Sequence, residues 1–301
     1  MGTSETTPLI NQNPDLQSYY ASLESRIGYR LILGGTRHFG YYEPGTWWPF
    51  PVKKALRRME DHLFDTLRLP AGATVLDAGC GHGHVAIHMA RRNLNVQAID
   101  VVERHVARAQ RNVLAAGLPN AITVQRGDYH HLEGVPTESL DGVYTMETIV
   151  HATDPKAVLE GFFRVLKPGG SIVLFEYAHS IPQDAPAEVA KMFDQVNEYA
   201  AMPANADFEH GTLPSLVQGA GFEEVEMGDL SENVKPMLRL FFLLAYIPYI
   251  IIRFLGIEKY FVNTVAAIVG YRYFDIHRYV TVRATKPANP DQPSFEPKKE
   301  Q

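Results

Sequence analysis

Two rhythms of hydrophobic and polar positions divide this chain of 301 residues. From residue 74 to residue 177, short apolar runs alternate with segments whose apolar positions recur every three or four residues. Short apolar runs are typical of buried strands, and the periodic segments are typical of amphipathic helices. Strands that alternate with helices predict βαβ units and therefore a parallel sheet.

The individual elements follow from the same pattern. We predict strands at residues 74–78, 96–99, 122–125, 140–146, 170–177, 222–227 and 276–284. We predict helices at residues 15–33, 52–69, 84–92, 102–113, 155–166, 184–201 and 213–220. An apolar insertion at residues 233–269 is predicted to be helical in several pieces, and Pro248 interrupts its most apolar run.

These elements predict five regions along the chain. An α/β core covers residues 70–230, and residues 231–285 add an apolar helical cap over the substrate and the last strand. A helical and aromatic lid is predicted at residues 14–69, with disordered tails at residues 1–13 and 286–301. The C-terminal tail is rich in proline and charge, which is typical of disorder.

Composition excludes several classes of protein. The chain has one cysteine, Cys80, so it contains no intrachain disulfide. It has 28 basic and 34 acidic residues, a net charge of −6, which argues against a nucleic-acid partner. The N-terminus lacks the apolar core of a signal peptide, so we expect a cytoplasmic protein. Gly2 and Thr6 fit a short myristoylation pattern, but no basic cluster follows, and we expect a plain tail.

The most apolar stretch is residues 240–252, between Arg239 and Arg253. Its thirteen residues are fewer than the roughly 20 that span a bilayer, so we expect no membrane crossing. A buried helix, a lid over an apolar substrate and a helix at a membrane surface remain open. The last of these would give peripheral membrane contact through residues 237–256.

The sequence VLDAGCGHG at residues 75–83 indicates a nucleoside-binding turn between a strand and a helix. Glycines there let the backbone approach a ligand closely. Asp100 ends the next predicted strand, where a carboxylate can accept both ribose hydroxyls, and Asp128 follows the third. His84 stands where a dinucleotide fingerprint has its third glycine, which disfavours NAD. No Gly-Lys-Ser/Thr follows, which disfavours a nucleoside triphosphate.

With further segments, the chain resembles the class I S-adenosylmethionine-dependent methyltransferases, and their sterol 24-C-methyltransferase branch most. The segments are GDYHHL at 127–132, METIVHATDP at 146–155, RVLKPGG at 164–170 and LGIEKYFVNTVAAIVGYRYFD at 255–275. The resemblance implies an α/β, Rossmann-like, mostly parallel sheet of seven strands with an antiparallel last hairpin. It departs at His84, where the family usually has glycine, and at residues 38–43, where sterol enzymes carry a different aromatic run.

The resemblance also implies roles for individual residues toward S-adenosylmethionine. Asp77 would hold its amino group and Asp100 its ribose, while Asp128 and Tyr129 would flank its adenine. The residues expected to wrap its amino-acid part are Gly79, Cys80, Gly81 and Gly83.

Four residues are candidates for chemistry beyond the cofactor. Glu147 and His151 follow the fourth predicted strand and could act as a general-base pair, and Glu176 ends the fifth strand. Tyr41 is a candidate member of an aromatic wall that would stabilise a carbocation, because the faces of aromatic rings stabilise cations. The candidate wall residues are Phe39, Tyr41, Tyr42, Trp47 and Trp48. No histidine spacing matches a metal site, and the clustered histidines are expected on solvent-exposed helices and loops.

Two functional hypotheses follow, with a third class disfavoured. The first is a methyltransferase acting on a lipophilic small molecule, sterol-like or a specialised metabolite, by C-methylation. The alternative is an enzyme of the same fold that keeps its cofactor and promotes a cyclisation, for example a Diels–Alder-type cycloaddition, without transferring methyl. A silent binding or scaffold protein is disfavoured by the intact glycines and acids of the cofactor turn. The sequence leaves the oligomeric state open.

Overall fold

The structure, a computed structural model, describes residues 10, 13–22, 24, 30–182, 184–185 and 187–288. The expectations for Gly2 and for most of both tails lie outside these residues. Lys286, predicted to begin the C-terminal tail, is buried instead: its backbone amide donates to Gly170 and its ammonium group donates to the carbonyl of Leu166. The ordered chain therefore continues past the last strand.

Seven strands form one mixed sheet in the order β3-β2-β1-β4-β5-β7-β6, with β7 antiparallel to both of its neighbours. The predicted Rossmann-like class I methyltransferase fold is thereby confirmed. The strands are β1 (Thr74–Ala78), β2 (Asn95–Asp100), β3 (Ile122–Arg126), β4 (Leu140–Met146), β5 (Leu166–His179), β6 (Glu223–Asp229) and β7 (His277–Thr285). The carboxyl ends of β1, β2, β4 and β5 meet at one edge, where ligands bind in open α/β sheets.

Helices cover both faces of the sheet. The helices are α1 (Pro14–Ala21), α2 (Val52–Leu67), α3 (His84–Arg91), α4 (Glu103–Ala115), α5 (Pro155–Val165), α6 (Ala187–Tyr199), α7 (Thr212–Gly219), α8 (Ser231–Leu255) and α9 (Val262–Arg272). Apolar residues of α2, α3 and α4 form the core on one face, and those of α5 and α7 form it on the other. The predicted helix at residues 15–33 is interrupted, since α1 stops at Ala21 and Ser22 is a bend, while Glu24 and residues 30–33 are again helical.

The apolar insertion is helical in several pieces, as predicted, because α8, a short 3-10 helix at Glu258–Tyr260 and α9 follow one another. Pro248 does not mark a division between them. Helix α8 runs without a break through both Pro236 and Pro248. An interior proline removes one backbone hydrogen bond and destabilises a helix by roughly 3 kcal/mol. Packing offsets this cost, because buried residues of α8 such as Ala245 and Tyr249 form a core cluster with α9.

The helix that contains the thirteen-residue apolar run is longer than that run, with 25 residues. Among the residues that the structure describes, α8 is the one helix long and apolar enough to cross a membrane by length and composition. Its first turns, however, are tied into the protein. Tyr42 donates its backbone amide to Asn233, and the Asn233 side chain donates back to the Tyr42 carbonyl at 2.8 Å. Ser231 accepts a hydrogen bond from the Tyr279 amide of β7 at 3.0 Å.

Candidate cofactor and substrate sites

The turn between β1 and α3 needs glycine for steric reasons at two positions. Gly79 has φ +96°, and a Cβ atom there would lie 2.7 Å from Thr148 Cγ2. Gly83 has φ +76°, and its Cβ atom would lie 3.1 Å from Ala109 Cβ. Any larger residue would push away the loop after β4 or helix α4. The turn is thus packed on the side away from the ligand.

Asp100, at the end of β2, is fixed beside this turn. Its carboxylate accepts hydrogen bonds from the Gly81 amide at 2.9 Å and the Val102 amide at 2.8 Å, and His105 Nδ1 lies 3.3 Å away. Burial acts to raise the pKa of Asp100, but His105 and the two amides outweigh it and hold the pKa below its ordinary value. The carboxylate is therefore charged, and its remaining lone pairs can accept ribose hydroxyls.

Asp77, in β1, offers an unsatisfied carboxylate oxygen. The residue is buried, and its Oδ2 has no hydrogen-bond partner among the described residues. Burial raises the pKa of Asp77 to about 7, although the neighbouring Tyr144 acts in the opposite direction. A buried polar atom without a partner is costly, and an ammonium group placed there would satisfy it. This residue fits the amino group of S-adenosylmethionine.

Asp128 and Tyr129 lie just beyond β3. Asp128 Oδ1 accepts from the His130 amide at 2.9 Å and lies 2.7 Å from His130 Nδ1. Tyr129 donates its hydroxyl to the Thr148 carbonyl at 3.0 Å, which fixes its ring. His130 Nε2 accepts from the Thr153 amide at 3.1 Å, so Nδ1 carries the proton and donates to Asp128. Both residues are held rigidly before any ligand binds.

These residues line one cavity, which is called the cofactor cavity below. Residues of α1, including Tyr20, close its other side. Gly83 alone among the predicted cofactor residues is not part of the cavity wall, because it packs behind the turn. The predicted cofactor residues that line the cavity are Asp77, Gly79, Cys80, Gly81, Asp100, Asp128 and Tyr129.

Glu147 directly follows β4 and lines the cofactor cavity. It is a non-glycine residue in the left-handed region, with φ +58°. Its Oε1 accepts from the Phe39 amide at 2.7 Å and from the Tyr279 hydroxyl at 2.8 Å, and its Oε2 accepts from Tyr177. Burial raises the pKa of Glu147, while Tyr177 and His38 act against this. The carboxylate thus ties three aromatic residues together.

His151 is engaged elsewhere. Its Nδ1 donates to the Ala201 carbonyl at 2.7 Å, and its Nε2 lies 3.1 Å from the Tyr20 hydroxyl, which donates to it. Burial lowers the pKa of His151 to about 4, so the ring is neutral at physiological pH. Instead of pairing with each other, Glu147 and His151 have separate partners, although both line the cofactor cavity.

Glu176 is completely buried and lies outside both cavities. One carboxyl oxygen accepts from the amides of Thr148 at 2.6 Å and Ile149 at 2.8 Å. The other has no partner among the described residues. Burial raises the pKa of Glu176 to about 8, although those two amides act against it. Glu176 therefore supports the loop that carries Glu147.

A second, larger cavity of about 380 Å³, the candidate substrate cavity, is lined by the three hydrogen-bond partners of Glu147. Phe39, Tyr177 and Tyr279 form one wall, with ring centroids 5.6 to 6.2 Å apart. Apolar residues of α6, α8 and α9 form most of the remainder. At one side Asn205 donates to Asn197 at 2.7 Å, which leaves Asn197 Nδ2 and Asn205 Oδ1 without partners among the described residues. The cavity wall is mostly apolar, and this asparagine pair carries two polar atoms without partners.

Comparisons with known proteins agree with this architecture. A family model described as "Methyltransferase domain" matches residues 75–170. The S-adenosyl-L-methionine-dependent Diels-Alderase iccD of Talaromyces variabilis is 42 % identical over 276 residues, covering 90 % of this chain and 94 % of that protein. The chain belongs to the class I S-adenosylmethionine-dependent methyltransferase family. It binds S-adenosylmethionine, as expected from its glycine turn.

A second relative by sequence and one solved structure also match this chain. The S-adenosyl-L-methionine-dependent Diels-Alderase iliD of Neonectria sp. is 46 % identical over 73 % of this chain and 86 % of that protein. The crystal structure of the [4+2]-cyclase SpnF has the same fold, with a TM-score of 0.71 and 23 % identity over 95 % of this chain and all of that one.

The predicted closeness to the sterol branch is corrected by these comparisons. The sterol 24-C-methyltransferase erg6 of Aspergillus fumigatus is 31 % identical over 54 % of this chain and 42 % of that enzyme. Sterol enzymes are therefore distant relatives of this family member, and the two Diels-Alderases match it over far more of its length.

The aromatic loop of this methyltransferase-family chain contributes one residue to the substrate cavity, not five. Phe39 lines it, whereas the Tyr41 ring packs 5.3 Å from His62 and does not line either cavity. Tyr42 is buried against α2 and α8. Trp47 and Trp48 are 70 % and 67 % exposed. The pattern of aromatic residues could not show which of them face inward.

The clustered histidines are not solvent-exposed as expected. The histidines concerned are His82, His84, His88, His130 and His131, and all five are partly buried. His82, His84 and His130 line the cofactor cavity, and His88 contacts Glu60. Within the described part of the chain, no group of three or more His, Cys, Asp or Glu residues could hold a metal ion.

Two neighbouring tyrosines that the sequence did not single out join the two cavities. Tyr20 contacts His151 in the cofactor cavity, while Tyr19 lines the substrate cavity and donates to Asn263 Oδ1 at 2.7 Å. Glu24 accepts from the backbone amides of Asn263 at 2.9 Å and Thr264 at 2.7 Å, at the start of α9. The described N-terminal residues therefore line both cavities.

Replacing Glu176 by glutamine should change how stability depends on pH. Because the native pKa of about 8 lies above the ordinary value of 4.5, the wild type should lose stability as pH rises from about 4.5 to about 8. Each unit of pKa difference corresponds to about 1.4 kcal/mol. Glutamine keeps the acceptor for Thr148 and Ile149 without ionising. Between pH 6 and pH 9, the free energy of unfolding in urea should therefore fall less for Glu176→Gln than for the wild type.

The exposed Glu103 provides the matched control, since Glu103→Gln should leave the pH profile unchanged. Parallel profiles for wild type and Glu176→Gln would mean that Glu176 is already ionised in the folded protein.

Proposed function

We propose that this protein is an S-adenosylmethionine-dependent pericyclase that closes a ring by intramolecular [4+2] cycloaddition of a lipophilic polyene. The observation that carries the proposal is the hydrogen bonding of the Glu147 carboxylate. Its carboxylate accepts hydrogen bonds from Phe39, Tyr177 and Tyr279, and so fixes the wall of the substrate cavity. Methylation of an alkene needs a base to remove a proton, whereas a cycloaddition needs none.

The other two candidate bases support the same conclusion. His151 has hydrogen-bond partners at both ring nitrogens, and burial lowers its pKa to about 4, so it is a weak base. Glu176 is buried outside both cavities. The relatives iccD and iliD, named as Diels-Alderases, match this chain over most of their own length, which supports a cycloaddition in particular.

In the proposed reaction the diene and the dienophile belong to one substrate. Three π bonds are consumed, two σ bonds and one new π bond form, and no atom, proton or methyl group is lost or gained. The task of the chain is to hold the two partners in contact, and such positioning can lower a barrier by several kcal/mol. Phe39, Tyr177 and Tyr279 provide a rigid wall for the folded substrate. When bound, the cofactor supplies a fixed sulfonium charge.

The unpartnered atoms of Asn197 and Asn205 support a more specific substrate class. Both residues are buried, and together they offer one hydrogen-bond donor and one acceptor to the cavity. A substrate with a purely apolar end would leave these groups unsatisfied. We therefore propose a polyene that carries, at one end, a polar group with both a donor and an acceptor. A cytoplasmic location is part of this proposal.

Product mass and cofactor dependence test the proposed function. With S-adenosylmethionine and a polyene substrate, the enzyme should give a product isomeric with its substrate and no S-adenosylhomocysteine. Sinefungin, which has no methyl group to transfer, should still support turnover. A product heavier by one CH₂ unit, formed together with an equal amount of S-adenosylhomocysteine, would identify a methyltransferase instead.

A further inference from the structure

The outer face of α8 is an apolar surface that the fold leaves uncovered. Ile247 is 69 % exposed and Phe254 is 88 % exposed, far more than a folded core requires. Contiguous exposed apolar surface of this kind marks an interaction site. The exposed apolar residues of this face are Leu243, Ile247, Ile250, Ile251, Phe254 and Leu255.

Exposed aromatic residues accompany this face. The Arg239 guanidinium of α8 lies 3.9 Å from the centroid of the Trp47 ring and donates to the Trp47 carbonyl at 2.8 Å. This contact joins α8 to the loop that carries Trp47, Trp48 and Phe50, all of them more than half exposed. Tryptophan is enriched at the boundary between lipid and water, where an apolar ring with a polar edge fits.

The charges around this face have one predominant sign. Residues 239–274 contain four basic residues and one acidic residue, a formal charge of +3 in a chain whose net charge is −6. Arg253, Lys259 and Arg272 are exposed. A twofold dimer through this face would bring the same cations together, whereas anionic lipid headgroups would neutralise them. The surface therefore fits a lipid bilayer better than a second copy.

The inner face of the same helix lines the substrate cavity. Leu244, Ala245 and Pro248 of α8 form part of its wall, next in sequence to the outward-facing Ile247. Because Ser231 and Asn233 hold the first turn of α8 in the protein, the helix can lie on a bilayer but not cross it. One helix thus separates an apolar cavity from an apolar outer surface.

We propose that the outer face of α8 docks the protein on an anionic lipid surface, from which the lipophilic substrate of the proposed function enters the adjoining cavity. Docking itself depends only on this face, so it can be tested separately from the reaction.

Flotation with lipid vesicles tests the docking. The wild type should float with vesicles of phosphatidylcholine containing about one third phosphatidylserine, less with pure phosphatidylcholine, and less at high salt. The double variant Ile247→Glu/Phe254→Glu should lose about ten-fold or more of this binding, because two carboxylates would enter the lipid boundary. Leu114→Glu, at a 65 % exposed position of α4, is the matched control and should float like the wild type.

Two further measurements make the result decisive. Calorimetric titration with S-adenosylmethionine should give the same affinity for the double variant and the wild type, which shows that the variant is folded. With substrate in free solution its turnover should be unchanged, so a failure of docking and a failure of the proposed reaction are distinguished. Wild-type protein that stays in the supernatant with both vesicle types would overturn the proposal. So would a wild-type dimer that the double variant converts to monomers without any loss of flotation.

Discussion

Replacing Asp100 by alanine is expected to raise the dissociation constant for S-adenosylmethionine by roughly 10- to 150-fold. Hydrogen bonds to a charged group contribute about 1.5 to 3 kcal/mol, which corresponds to that range in affinity. Asp100 is buried and charged beside the glycine turn, so no solvent-exposed group can replace it. Isothermal titration calorimetry measures the effect directly.

Two variants separate ligand binding from support of the turn. Asp100→Asn keeps an oxygen acceptor for one of the Gly81 and Val102 amides but removes the charge, so its affinity should lie between those of wild type and Asp100→Ala. Asp207→Ala changes an exposed acid far from the turn in sequence and should have no effect. An unchanged affinity in Asp100→Ala would remove this residue from the cofactor site.

Replacing Glu147 by alanine is expected to lower turnover by about 100-fold, since displacing a positioning group by about 1 Å can cost that much. The carboxylate is the common acceptor for Phe39, Tyr177 and Tyr279, and its loss frees all three from their present positions. The affinity for S-adenosylmethionine should change little. Steady-state kinetics with a saturating cofactor, together with calorimetry, would measure both quantities.

A positioning role and a proton-transfer role give different patterns. If Glu147 positions the wall, Tyr177→Phe and Tyr279→Phe should each reproduce part of the loss, and the pH–rate profile should keep its shape. If Glu147 were a general base, the pH–rate profile of Glu147→Gln would lose its acidic limb, and turnover would fall by about 10²- to 10⁴-fold. Full activity in all of these variants would place the reacting atoms elsewhere in the cavity.

Much of the cofactor site could be predicted because it depends on short-range rules. A strand, a glycine turn and a helix are consecutive in sequence, and acids at the ends of parallel strands meet at one edge of the sheet. The seven strands agree with the predicted ones, although β5 begins at Leu166 rather than at residue 170. The sequence alone therefore predicts that Asp77 and Asp100 lie close together, and both line the cofactor cavity.

The substrate side could not be predicted in the same way, because it depends on pairing between distant strands. Successive residues of a strand point to opposite faces, so Glu176 and Tyr177 cannot both face the cavity. Tyr177 faces it together with Tyr279, its partner across the β5–β7 pair. The sequence analysis selected the neighbouring Glu176 instead, because its side chain is ionisable. A parity count from Phe175, whose side chain packs in the α2 core, would have favoured Tyr177.

Since Tyr20 lines one cavity and the adjacent Tyr19 lines the other, we expect the occupancies of the two cavities to be coupled. Tyr20 contacts the cofactor side through His151, and Tyr19 contacts the substrate side through Asn263. Because both tyrosines belong to one helix, α1, a shift that a ligand causes at one of them also moves the other, so a ligand in one cavity changes the affinity of the second cavity. The coupling must be reciprocal, because each ligand changes the affinity for the other by the same factor. In the proposed cycloaddition the cofactor is not consumed, so it would remain bound over many turnovers while product leaves and new substrate enters.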